Sequence, residues 1–222
     1  MNYEIIRSRR KTASITVDRT GRVIVRAPLN MPVEKIDAFV NSKSDWINKH
    51  SSGAAQRTAE RSRRLSLPPE ELPFLGEMCP VCHEPPYGYT DGRFHLPENT
   101  SLEQLLPYLR KLYSCIAKDT ITARTNLLAD RMGIKISAVR INSAKTRWGS
   151  CSAQKVINLS WKLIAADSRL IDYVIVHELC HTEQMNHSPA FWAKVEAVIP
   201  DYHERREALK DVQKILAEYG LD

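Results

Sequence analysis

His177 and His181 stand four residues apart, with Glu178 between them and His187 six residues further on, in the stretch 174–192, VIVHELCHTEQMNHSPAFW. A helix turns about 100° per residue, so side chains four apart share a face. Two imidazoles on one face can hold one metal ion. Glu178 leaves the helix at an adjacent angle, where its carboxylate reaches a water beside the ion rather than the ion itself. On an unbroken helix His187 would point roughly 120° away from His181. The helix must therefore stop. Asn186 tolerates the left-handed conformation that ends helices, and Ser188 with Pro189 reads as the cap and first position of a new helix. The spacing thus predicts a corner at Asn186 that turns His187 back toward the same ion. Three histidines with a fourth position left to water describe a catalytic zinc site better than a structural one.

A second metal-ligand pattern, Cys79-Pro-Val-Cys82 followed by His83, has no matching pair elsewhere in the chain. Its proline-rich surroundings lack the helix start that activates a redox CxxC. The expectation is two ordinary reduced cysteines near a turn. Cys151 and Cys180 are expected to pack as small apolar residues. His203 is expected at an exposed helix start, flanked by a capping box of Asp201 and Glu204.

The elements that must position these groups follow from periodicity. Ile15 and Val17, then Val23 and Val25, alternate with polar neighbours around residues 18–21 (DRTG), which predicts a hairpin. Residues 32–49 repeat apolar side chains at helical spacing, whereas residues 51–71 have few large apolar ones and read as a basic linker or mobile loop. Frequent Pro and Gly over 72–98 predict short strands. A long helix is expected over 102–132, with Pro107 at its first turn or a kink and Gly133 as its stop. Residues 134–141 read as a strand, and residues 157–163 as a half-buried one. Asp167 and Ser168 are a cap for the helix of His177. These add up to an α+β fold. Residues 1–98 form a small N-terminal β-rich portion with one helix and the basic linker. Residues 99–222 form a helical portion with a short antiparallel sheet beside the histidine-bearing helix.

Bulk properties narrow the class further. The 222 residues are 43% hydrophobic and 26% charged, an ordinary globular balance. No apolar run approaches the roughly 20 residues a membrane helix needs. The start, MNYEIIRSRRK, lacks the apolar block of an export signal. With five cysteines besides, reduced thiols and a cytoplasmic location are expected. Charge is uneven: residues 1–66 hold 14 Lys and Arg against 6 Asp and Glu, and the remainder 18 against 20. Such an excess suits nucleic acid, nucleotides or acidic proteins, although no aromatic-interleaved recognition motif accompanies it.

Several blocks together resemble the YgjP-like metallopeptidases, a zincin group related to the WLM and SprT-like proteases. They are residues 21–28 (GRVIVRAP), 147–151 (RWGSC), 171–174 (IDYV), the histidine motif, 186–192 (NHSPAFW) and 200–202 (PDY). The likeness spans nearly the whole chain and implies a zincin-like catalytic portion over 99–222. It implies zinc ligands at His177, His181 and His187, with Glu178 as general base of a peptide-bond hydrolase. Metzincins share the histidine spacing but place a glycine where Gln184 stands here. Arg147 and Tyr202, inside the matching blocks, are candidates for binding substrate or the oxyanion. The strand over 157–163 would pair with an extended peptide. Nucleoside-triphosphate pyrophosphohydrolase activity, on UTP or a similar nucleotide, has also been attributed to the group; Lys145 and Arg147 suit phosphate, but no Gly-rich phosphate loop or acidic magnesium cluster is present. A purely structural zinc adaptor would not need Glu178.

Overall fold

A computed structural model describes residues 2–222, which divide into two units at Arg63/Arg64. In the first, β1 (Glu4–Ser8), β2 (Ser14–Val17) and β3 (Val23–Pro28) form a sheet of order β1-β3-β2. The hairpin β2–β3 is antiparallel, as the alternation predicts, and β1 adds in parallel. Asp18 closes its turn by accepting from the backbone N–H groups of Thr20 and Arg22. Val23, Val25 and Ala27 point to one face, where Ile36 and Val40 of α1 (Val33–Asn41) and Ile47 of α2 (Ser44–Ser66) complete a small core.

α2 corrects two expectations. The helical stretch over 32–49 breaks after Asn41, so this portion has two helices rather than one, and residues 51–66 are helix rather than linker. Only Ile47 and Ala54 of α2 are buried. Ala, Gln, Arg and Glu are strong helix formers, so propensity shapes this segment without an apolar stripe. Gln56, for instance, donates to Glu60 one turn on.

The second unit begins with β4 (Glu71–Phe74), β5 (Glu77–Cys82), β6 (Gly88–Thr90) and β7 (Arg93–His95), in the order β4-β5-β7-β6. Gly76 in the β4–β5 turn has φ +86°, and a Cβ there would lie 2.5 Å from that of Asp167. Residues 71–95 thus pack with the unit that carries the histidines, and a boundary near residue 98 falls inside that unit. α3 (Leu102–Arg131) starts at a capping box of Ser101 and Gln104 and tolerates Pro107 in its second turn. Its stripe of Leu102, Leu105, Leu109, Tyr113, Ala117 and Ile121 is the spine of the main core.

The sheet nearest the site comprises β8 (Ala138–Asn142), β9 (Gly149–Cys151) and β10 (Val156–Ser160), ordered β8-β10-β9. β9 runs antiparallel to β10 as expected, but β8 is parallel to it, so the sheet is mixed. The strand foreseen over 157–163 ends at Ser160. There the Ser160 hydroxyl accepts from the N–H of Lys162, and the chain enters a buried 3-10 turn, Trp161–Ala165. α4 (Ser168–Cys180), α5 (Pro189–Val198) and α6 (Tyr202–Glu218) complete the unit. Asp201 does not form the expected capping box; its carboxylate pairs with Arg205 instead. Among the described residues no helix is long and apolar enough to cross a membrane.

Candidate metal centre

α4 is held at its N-terminal half and along its buried face. The Asp167 carboxylate caps it by accepting from the N–H groups of Arg169 and Leu170. Arg124 of α3 grips Asp172 with two parallel hydrogen bonds of 2.6 Å, the fork geometry that fixes orientation as well as distance. Leu170, Ile171, Val174, Ile175 and Leu179 are buried around it. A helix so clamped presents His177 and Glu178 with little freedom.

The helix ends earlier than the sequence suggests. Cys180 is its last residue and His181 its C-cap, at φ −66° and ψ −18°. Asn186 is not among the residues of positive φ. The stop comes from a turn over 181–184: Thr182 N–H bonds to Leu179 O and Glu183 N–H to Cys180 O, while the Thr182 hydroxyl donates to Leu179 O. A short irregular stretch then brings in His187 before Ser188 caps α5 through Phe191 N–H, with Pro189 first in the helix as expected.

The chain reversal gathers the three imidazoles. One ring nitrogen from each lies within 4.8 Å of the others, and His177 Nε2 stands 3.1 Å from His187 Nε2. An ion bound at about 2.0–2.1 Å in tetrahedral geometry would space its nitrogens about 3.4 Å apart, so the cluster is of the right size. Phe191, fully buried, lies against all three rings, with centroids 4.4–4.9 Å away. His181 Nδ1 lies 2.9 Å from Gln184 O. A carbonyl only accepts, so Nδ1 carries the proton and Nε2 keeps its lone pair, the usual second-layer support of a metal-binding histidine. Gln184 thus acts through its backbone at the position where metzincins have glycine. His177 is pushed down to about 3, by burial first and then by His181, His187 and Arg206. His187 is lowered by burial, then by His181 and Arg206. Both rings are neutral at pH 7, the form that donates to a metal. The donor set fits a divalent ion.

Glu178 is buried beside them at 5% exposure, and its Oε2 is enclosed without a hydrogen-bond partner. Burial pushes its carboxyl up to about 7, against the opposing charge of Arg147. The carboxylate lies on β9. A Cβ on Gly149 would fall 2.7 Å from both Cγ and Oε1 of Glu178. Only glycine leaves this room, which is a physical reason for the third residue of the block over 147–151.

A cleft of about 550 Å³ opens over Glu178 and His187, walled by Arg147, Trp192, Arg206 and Lys210. Arg147 therefore reaches the site. Tyr202 does not line the cleft; it is buried behind it, stacked on Trp192 at 5.1 Å. His203 is exposed, as expected. Arg206 and Trp192 are cleft residues that the spacing alone does not reveal; Arg206 stands one turn beyond Tyr202, and its guanidinium lies 5.8 Å from the Trp192 ring. A larger hollow, about 650 Å³, lies on the Val176 and Cys180 side of α4. Its acidic groups are already paired, Asp172 with Arg124 and Glu183 with Lys194, and it holds no metal-ligand cluster. Size is a poor guide to the chemistry here.

Cys79 and Cys82 do not form a centre. Cys79 is buried with its sulfur 3.9 Å from Tyr89 Oη, and Cys82 lies near Arg93 on the other side of β5. All five cysteines are free thiols. Among the described residues the three histidines are the one group of three or more His, Cys, Asp or Glu gathered closely enough for a metal.

A family model described as YgjP-like, metallopeptidase domain, matches residues 11–212. Among solved structures, the crystal structure of the metallopeptidase zymogen of Pyrococcus abyssi abylysin is similar at 25% identity, covering 41% of this chain and 90% of that one. Its TM-score of 0.36 is too low to support a structural comparison. No curated protein matches.

Proposed function

The chain belongs to the YgjP-like metallopeptidase family, and from that premise we propose that it is a zinc peptidase in which Glu178 is the general base. His177, His181 and His187 would hold the ion. Zinc bound there supplies Lewis-acid chemistry, polarising a scissile carbonyl and lowering the pKa of water to about 7. Neutral imidazoles also suit other late divalent metals; zinc is the choice because it pairs hydrolytic chemistry with a three-nitrogen set.

The observation that carries this reading is the unpartnered Oε2 of Glu178, enclosed beside the histidine cluster. A buried carboxylate without a donor costs free energy, and a water that gives it a proton relieves that cost. In the metal-free protein burial raises Glu178 to about 7, and as a carboxylate it would take a proton from a water beside the histidines. As a carboxylic acid it is then strong enough to return the proton to a leaving amine. Arg147 limits the upward shift and, lining the cleft, would bind substrate there. Tyr202 would contribute through the cleft residue Trp192, on which it stacks.

Peptide binding follows from the sheet. β10 has a partner on each edge, so it cannot accept a substrate strand as the sequence suggested. β9 has a free edge and carries Gly149, on which Glu178 rests. An extended peptide added there would run past the general base. Replacing Glu178 with Gln is expected to leave one metal per chain bound and to lower kcat/KM for a peptide substrate by about 10²–10⁴. Undiminished cleavage would refute the assignment.

A second reading rests on Arg147, Arg206 and Lys210, three cations in one cleft. They would suit the phosphates of UTP or a similar nucleotide. Incubation with casein and with UTP, each with and without chelator, separates the two. Chelator-sensitive peptide release without pyrophosphate is expected; the reverse would favour the nucleotide.

A further inference from the structure

Beside the catalytic cleft is a far smaller pocket of about 40 Å³, with Lys145, Thr146, Arg147, Lys162, Gln213 and Asp222 in its wall. Arg147, Trp148 and Gln213 line both hollows, so the two adjoin. Lys162 belongs to the 3-10 turn Trp161–Ala165, in which every residue is buried, and is itself 8% exposed. A lysine is rarely so enclosed unless a negative charge answers it. Three charged groups act on its ammonium: Asp222 favours the charge, while Arg110 and Lys145 oppose it. With Arg147, the wall holds three cations against one carboxylate. Neither Lys145 nor Lys162 has a part in the proton transfers described above.

We propose that this pocket is a specificity subsite, in which Lys162, Lys145 and Arg147 bind a carboxylate of the peptide substrate while its backbone lies along the adjoining cleft. The inference rests on the peptidase reading and gives that reading a substrate class, acidic peptides. Volume selects the ligand. At roughly 10–15 Å³ of such space per water, it holds about three or four waters, so a carboxylate fits and a chain of phosphates does not. Arg147 offers a planar fork to two oxygens, Lys162 a point charge with little competing water, and Thr146 and Gln213 neutral hydrogen bonds. Burial of Lys162 strengthens its own attraction, while Lys145, Thr146, Arg147 and Gln213 meet the ligand from the exposed side. Asp222 already places a carboxylate in the wall. An incoming acid competes with it for the same cations.

The test uses metal-loaded full-length protein and peptide pairs that differ only by Asp or Asn, or Glu or Gln, at each position within four residues of the cleaved bond. Each pair is made with a free and an amidated C-terminus, so that a side-chain carboxylate is distinguished from an α-carboxylate. At one position the acidic member is expected to show a KM about tenfold or more below its amide. Lys162→Met should bring that ratio close to one, and Asp222→Asn should raise it. Lys145 is exposed, so Lys145→Met provides a variant with little risk to folding and should reduce the ratio in the same direction. Equal KM values for acid and amide at every position, or an unchanged ratio in both lysine variants, would overturn the subsite. If no peptide is cleaved the peptidase reading fails, and binding of the same labelled peptides to Glu178→Gln protein decides the pocket separately. A preference for acids that Lys162→Met removes sustains it; equal affinity, or tighter binding of inorganic triphosphate than of any acidic peptide, overturns it.

Discussion

Two stretches of this chain carry metal-ligand residues at short spacing, and only one of them gathers a cluster that could hold a metal. His177 on α4 and His181 at its C-cap are four apart, and the helical period puts them on one face with ring centroids 4.9 Å apart. Cys79 and Cys82 are three apart on β5, where a period of two sends them to opposite faces. His83 does not rescue the pattern, because among the described residues Cys79, Cys82 and His83 do not gather closely enough for a metal. Spacing in sequence becomes chemistry only through the period of the element beneath it. Rigidity differs as well. α4 is clamped by Asp167, Arg124 and a buried surround, whereas β5 belongs to a small sheet whose turn residues, Glu84 and Tyr87, are exposed.

The strongest way to break this contrast is to remove one histidine. His187→Ala should lower metal affinity by well over about a hundredfold and peptide turnover with it, while Cys82→Ser should leave metal content at one per chain. Titration against a chelating indicator measures both; equal losses would erase the distinction. Gly149→Ala probes the room reserved for Glu178. A Cβ at 2.7 Å must displace the carboxylate, so kcat/KM should fall about tenfold to a hundredfold while the metal stays bound. Wild-type turnover in that variant would mean that the position of Glu178 is not critical.

A pH comparison is finer. The folded pKa of Glu178, about 7, lies above its unfolded value of about 4.3. Folding of the metal-free protein therefore takes up a proton between those values, and stability drops through that window as pH rises. Removing the charge with Glu178→Gln should stabilise the metal-free protein by about 3–4 kcal/mol at pH 8 and by only about 1 kcal/mol at pH 5. Urea unfolding at the two pH values gives the difference. A gain of the same size at both would show that burial of the charge is not the cause. Arg147→Met should move that stability window of the metal-free protein upward in pH, since Arg147 is the charge that opposes the upward shift of Glu178; an unmoved window would separate Arg147 from the base.

Much of the site is legible in the sequence because it sits within one helix and its cap. The shared face of His177 and His181, the Asp167 cap and the Ser188–Pro189 restart follow from local periodicity and local hydrogen bonding. The end of α4 does not, since the turn over 181–184 is settled by which carbonyls His181 and Thr182 reach. The contact of Gly149 with Glu178 joins residues 29 positions apart, and a glycine in a strand signals only that something approaches. Arg206 enters the cleft from α6, and no spacing rule links it to α4. In the fold, the alternation around residues 18–21 locates the hairpin, while α2 is hidden because residues 51–66 combine helix propensity with almost no apolar face. The strand over 157–163 is cut short for a tertiary reason: the chain from Leu159 to Ala166 is buried on every side, so alternation ceases to mark a half-exposed strand.

X-ray absorption on the zinc-loaded protein examines the ligand shell itself. Three imidazole nitrogens and one lighter oxygen at about 2.0–2.1 Å, with no sulfur, is the expected result. A sulfur scatterer near 2.3 Å, or a shell of only two imidazoles, would mean that His177, His181 and His187 do not together bind the ion on which Glu178 is proposed to act.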